Sequence, residues 1–124
     1  MNTVLDAGAL IAVDRGDRRM AARLQVAQRM RIPLRTSAAA VAQAWRHPRQ
    51  VNLARLLSGV AVEPLGPGEG RQIGQLLAAT GSTDIVDAHV ALLVELGGTV
   101  LTSDPDGLRR LLAGRGVTAA VVAV

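Results

Sequence analysis

The chain has 124 residues, enough for one domain with a real core and too few for two. Hydrophobic residues make up 49% and there is no cysteine, so compositional disorder, disulfides, thiolate catalysis and cysteine-based zinc sites are excluded, and a reducing cytoplasmic setting is expected. The formal net charge is +4, all 14 cations are arginine, and Trp45 is the only aromatic residue, which leaves no stacking platform for single-stranded nucleic acid.

In chain order, residues 2–6 read as a buried strand that ends at Asp6, followed by a short helix over 8–14. The span 17–31 is amphipathic, with Met20, Leu24, Ala27 and Met30 near helical spacing, and Pro33 ends it. Residues 33–36 form a second strand. Ser37 is a good N-cap for an Ala-rich helix over 38–46, which His47-Pro48 breaks. A helix over 49–58 stops at Gly59, and a third strand covers 60–63. The Gly-rich stretch 65–70 reads as a loop or the start of a helix over 71–80. Gly81-Ser82-Thr83 opens a helix over 84–96, which Gly97-Gly98 ends. A strand over 99–103, a helix from Pro105 to about 113 and a last strand over 117–123 complete the chain. This alternation predicts an α/β fold: a three-layer α/β/α sandwich around a mostly parallel sheet, one domain over 1–124. No stretch approaches the roughly 18 apolar residues of a membrane span. Acidic Asp6 interrupts an N-terminal apolar run that no basic residue precedes, so a secretory signal is not expected.

Four aspartates carry the chemistry. Asp6 and Asp104 follow apolar runs, while Asp84 and Asp87 stand three apart at the start of a helix, on one face of it. Each has a local alternative. Asp6 can cap the first helix, and Asp104 before Pro105 has a cap signature. Asp84 can cap its own helix with Asp87 reaching back, as in a capping box. Taken together they point further. If the strands that end in Asp6 and Asp104 are neighbours, four carboxylates crowd one sheet edge and raise each other's pKa values. A Mg²⁺ or Mn²⁺ ion would resolve the repulsion, and an acidic site on a basic surface suits a polyanionic substrate. Asp14, Asp17 and Asp106 read as solvated or capping residues, and His47 and His89 as structural. The glycines at 66–70 match neither a P-loop nor a dinucleotide fingerprint.

Four segments in order resemble the PIN-domain family of metal-dependent ribonucleases, and among them the VapC-like toxins of bacterial toxin–antitoxin pairs. They are Val4-Leu5-Asp6-Ala7-Gly8-Ala9-Leu10-Ile11-Ala12, Ser37-Ala38-Ala39-Ala40-Val41-Ala42-Gln43-Ala44-Trp45-Arg46, Asp84-Ile85-Val86-Asp87-Ala88-His89-Val90-Ala91 and Val100-Leu101-Thr102-Ser103-Asp104-Pro105-Asp106. The resemblance implies one or two Mg²⁺ or Mn²⁺ ions at Asp6, Asp87 and Asp104, with Asp84 as a neighbour. It implies hydrolysis of tRNA or rRNA to products with a 5′-phosphate and a 3′-hydroxyl, silencing by an antitoxin protein, and a homodimer. It also implies a glutamate where this chain has Gln43, which brings no charge and cannot act as a base. The alternative is therefore a PIN-like module that binds RNA or protein without cutting. A receiver-like domain is a further alternative, weakened by a single acid at the first strand and the absence of lysine. Arg46 and Arg49, just past Gln43, are expected to meet RNA phosphate, with Trp45 in the core or at the rim. Arg15, Arg18, Arg19, Arg23, Arg29, Arg31 and Arg35 form a second candidate surface for RNA or antitoxin.

Overall fold

A computed structural model describes residues 1–124. Its elements are β1 (Thr3–Leu5), α1 (Ala7–Asp14), α2 (Arg18–Arg29), β2 (Leu34–Ser37), α3 (Ala38–Ala44), α4 (Val51–Leu57), β3 (Ala61–Glu63), α5 (Pro67–Thr80), α6 (Ile85–Leu93), β4 (Thr99–Thr102), α7 (Pro105–Arg115) and β5 (Ala120–Ala123). The five strands form one sheet in the order β3-β2-β1-β4-β5, and every pairing is parallel. Helices α5, α6 and α7 pack together on one side. On the other, α1 packs against β1, β4, α2 and α4, and α3 touches both α1 and α6. The expected three-layer α/β/α sandwich is therefore present, with a sheet that is parallel throughout.

The strand sequences explain this arrangement. A strand covered on both faces must be apolar at every position rather than at alternate ones. β1 meets that demand: Val4 and Leu5 are fully buried, as are Val100 and nearly so Leu101 beside them on β4. Twenty-four buried apolar side chains form one cluster, filled by Leu, Val, Ala, Ile and Met. No single helix is long and apolar enough to cross a membrane.

Several boundaries differ from the sequence expectation, and three of them have a clear physical reason. Helix α5 begins at Pro67, so most of the Gly-rich stretch is its first turn, with proline where no N–H is needed. Helix α2 ends at Arg29, and Arg31 turns the chain with φ 55°, which leaves Met30 exposed rather than in the core. Helix α6 ends at Leu93, well before the glycine pair, because distant side chains take over its last carbonyls. The buried Asn2 amide donates to the Leu93 carbonyl at 2.9 Å and accepts from the Glu95 N–H at 3.1 Å. Arg115 donates to the carbonyls of Ala91 and Val94.

Truncating Asn2 leaves a buried carbonyl and N–H without partners, which typically costs 1–3 kcal/mol. Asn2→Ala is expected to lower the unfolding free energy in urea by about 2 kcal/mol, and Asn2→Asp, which can keep only the acceptor half, by a comparable amount.

Candidate active site

Strand order reverses at β1: the chain runs outward through β2 and β3, then returns to place β4 on the other side of β1. In open parallel sheets this switch point opens a crevice beyond the carboxyl ends of the strands. Asp6 follows the last residue of β1, and Asp104 lies two residues beyond β4, whose Leu101 is in register with Leu5. The condition set by the sequence, that these two strands be neighbours, is met.

Asp6 is 2% exposed, and its carboxylate is held on both oxygens. Oδ1 accepts from the Ala9 N–H at 2.8 Å and so caps α1, while Oδ2 accepts from the Ser103 N–H at 3.0 Å. Burial raises its pKa, and the hydrogen bonds from Thr102, Ala9, Ser103 and Gly8 only partly oppose that rise. Thr102 and Ser103 are thus site residues that the sequence did not single out. Their signal was faint: two hydroxyl residues immediately before Asp104.

The remaining three acids divide their work. Asp104 Oδ1 caps α7 through the Gly107 N–H, and Asp84 Oδ1 caps α6 through the Asp87 N–H at 2.9 Å. The reciprocal half of the expected capping box is not formed. Ser82 Oγ accepts the Asp84 N–H at 3.2 Å instead, so the Asp87 carboxyl has no capping duty. That carboxyl is pushed up to about 7, first by burial, then by the charges of Asp84, Asp6 and Asp104. Four acids from three separate segments therefore share one electrostatic environment. Each cap uses one carboxylate oxygen, and the Asp84 side chain is also hydrogen-bonded to the Asp87 carboxyl, which adds to the rise in the Asp87 pKa.

No three acidic or histidine side chains are grouped tightly enough to enclose an ion by themselves. The donor set is all oxygen and carries excess negative charge. That suits Mg²⁺ or Mn²⁺, hard cations that are commonly held by one or two carboxylates with water in the remaining positions.

The other expected site residues are more dispersed. Gln43 is exposed on α3, next to the last residue of the helix, and makes no hydrogen bond to the four aspartates. Arg46 folds back onto the carbonyls of Ala42 and Trp45, both at 2.8 Å, and so serves the end of α3. Arg49 lines a recess with Asp14, His47 and Gln50, at the end of α1 remote from Asp6. Trp45 is half-buried against the core. Buried Gln50 ties the turn after α3 together: Oε1 accepts from the N–H groups of Arg46 and His47, and Nε2 donates to the Ala44 carbonyl and Asp14. Of the seven arginines from 15 to 35, Arg35 pairs with Glu63 at 3.2 Å, while the other six are exposed. Asp17 caps α2 through the Met20 N–H, and Asp106 pairs with Arg109.

His89 is structural, as expected. It is 1% exposed, its Nδ1 lies 2.6 Å from Ser37 Oγ, and its Nε2 is buried without a partner. Ser37 also caps α3 through the Ala39 N–H at 3.0 Å, so the pair ties α6 to the end of β2.

Two pH effects of opposite sign follow. Asp87 binds its proton more tightly folded, near 7, than unfolded, near 3.8, so its contribution to stability is lost as pH rises through about 7. In EDTA, Asp87→Asn is expected to resist urea better than the native chain at pH 8.5, with the gap roughly halved at pH 5.5. Mn²⁺ should raise the melting temperature of the native chain and do so less in the variant. His89 has a folded pKa held below its ordinary 6.5 by burial, so charging it favours the unfolded chain. Stability should fall with pH below about 6.5 in the native chain and lose that slope in His89→Gln.

Neither protein-family models nor curated proteins give a match to this chain.

Proposed function

We propose that this chain is a Mg²⁺- or Mn²⁺-dependent endoribonuclease that hydrolyses phosphodiester bonds of tRNA or rRNA. We further propose that it is the toxin of a toxin–antitoxin pair. The observation that carries the reading is the meeting of Asp6, Asp84, Asp87 and Asp104 at the switch point, with the Asp87 carboxyl pushed up to about 7. Structural caps alone do not need a fourth, uncapping carboxyl beside three others, since its repulsion works against folding. Exposed Arg15, which lines the recess beside Gly8 and Ser103, supports a polyanionic substrate. An antitoxin protein as inhibitor and a second copy of the chain as dimer partner belong to the same proposal.

In this reading Asp6, Asp87 and Asp104 hold the cation, with Asp84 beside them. When bound, the cation supplies positive charge against which a phosphate can be attacked and a water made more acidic. The rest falls to the chain itself. Asp6 is fixed on both oxygens, so it is an anchored ligand rather than a moving base. Asp84, outside that ligand set and capping α6 with one oxygen, is the carboxylate that would accept a proton from an attacking water. Gln43 brings no charge and cannot move a proton.

The uncharged Gln43 favours one second reading, a PIN-like module that binds RNA or protein without cutting it. Purified chain incubated with total tRNA and rRNA, in Mn²⁺ or Mg²⁺ against EDTA, separates the two. Metal-dependent cleavage to 5′-phosphate ends is expected, and Asp87→Asn should reduce it about a hundredfold through the lost cation ligand. Cutting only after Gln43→Glu would establish the second reading. Silence of every variant, with no Mn²⁺ binding by calorimetry, would leave the aspartates as helix caps.

A further inference from the structure

Beside the carboxylates, between α1 and the end of β4, the surface opens into a recess of about 540 Å³. Its lining includes Gly8, Ile11, Ala12, Arg15, Asp17 and Ser103. Gly8 is what allows this shape. The space that a β-carbon at position 8 would need is taken by the Cβ and Oγ of Ser103, and the same point lies 3.4 Å from Asp6 Oδ1. The Ser103 hydroxyl is therefore seated over the first turn of α1, next to the buried carboxylate. Its backbone N–H is engaged by Asp6, whereas its hydroxyl has no partner in the chain.

Arg15 is the cation of the recess. It is exposed and belongs to none of the three salt bridges. The nearby Asp17 gives one oxygen to the Met20 N–H at 2.9 Å and forms no salt bridge with Arg15. Helical rise sets Arg15 about 10 Å along α1 from Gly8, a distance its long side chain can shorten. A phosphate is an acceptor only and needs a donor cation, which Arg15 supplies. A ribose 2′-hydroxyl both donates and accepts, as a serine hydroxyl does. Ile11 and Ala12 offer an apolar wall between the two.

We propose that this recess is a nucleotide subsite of the same centre. Arg15 binds a backbone phosphate flanking the one at the carboxylates, and Ser103 reads the ribose 2′-hydroxyl. The strand is thereby anchored on the α1 side, and RNA is preferred to DNA. The proposal rests on the nuclease reading and names where its substrate lies.

The test uses the purified full chain with Mn²⁺ and a fluorescein-labelled, mixed-sequence single-stranded RNA, alongside DNA of the same sequence. Cleavage kinetics and fluorescence anisotropy are read for the native chain, Arg15→Ala, Arg15→Lys, Ser103→Ala and, as a control on α7, Arg110→Ala. Arg15→Ala should raise KM about fivefold to tenfold, with the loss in KM rather than kcat, and lower the salt dependence of binding by about one phosphate contact. Arg15→Lys should recover most of the loss. Ser103→Ala should narrow the preference for RNA over DNA by about threefold to tenfold. Arg15→Ala with the KM of the native chain, or Ser103→Ala with the native RNA-to-DNA ratio, overturns the subsite. If the native chain does not cut at all, the nuclease reading falls. Anisotropy without metal then decides the subsite, and equal RNA binding by the native chain and Arg15→Ala rejects it.

Discussion

A buried carboxylate at the end of the central strand holds this edge of the molecule together. An aspartate with 2% exposure is costly unless its charge is met by hydrogen bonds, and Asp6 meets it with two backbone N–H groups from different parts of the chain. One belongs to the start of α1, the other to the turn after β4. The same side chain therefore fixes the helix that leaves β1 and the loop that brings Asp104 alongside. Remove that carboxylate and both the cap and the seam between β1 and β4 lose their polar closure.

The other acids show how one residue type serves folding and chemistry together. A capping aspartate needs only one oxygen for the N–H of the third residue. Asp84 and Asp104 each cap with Oδ1 alone. Asp87 is set apart because Ser82 takes the N–H that it would otherwise have reached for. Its carboxyl meets burial and three like charges, and a hydrogen bond with the Asp84 side chain favours its protonated form, so its pKa is pushed up to about 7. Strain of this electrostatic kind is what a bound cation relieves, and it marks the point where stability is given up.

The basic residues, by contrast, are mostly committed elsewhere or spread over the surface. Arg35 answers Glu63 across β2 and β3, Arg46 closes the end of α3, and Arg115 closes the end of α6. The choice of arginine suits this, because a planar fork of donors can satisfy two carbonyls at once. Six arginines between 15 and 31 remain exposed, and among them Arg15 alone lines the recess that adjoins Ser103.

The order of strands and helices, the parallel sheet, the caps at Ser37, Asp6, Asp84 and Asp104, and the acids worth examining were all legible in the chain. Each depends on hydrophobic period, on cap chemistry or on residues a few positions apart. Other features were not legible. Asn2 ends α6 from ninety-one residues away, and Gln50 gathers the turn after α3. Ser103 settles into the space that Gly8 leaves, and Ser82 rather than Asp87 completes the cap of α6. Hydrophobic period and cap chemistry, both local, settle which segments become strands and helices. The return of β4 to the side of β1, which puts Asp104 and Asp6 within reach of the Asp87 charge, arises only in the folded chain. That pairing is set by which faces bury together across long separations, and no local pattern in the chain encodes it.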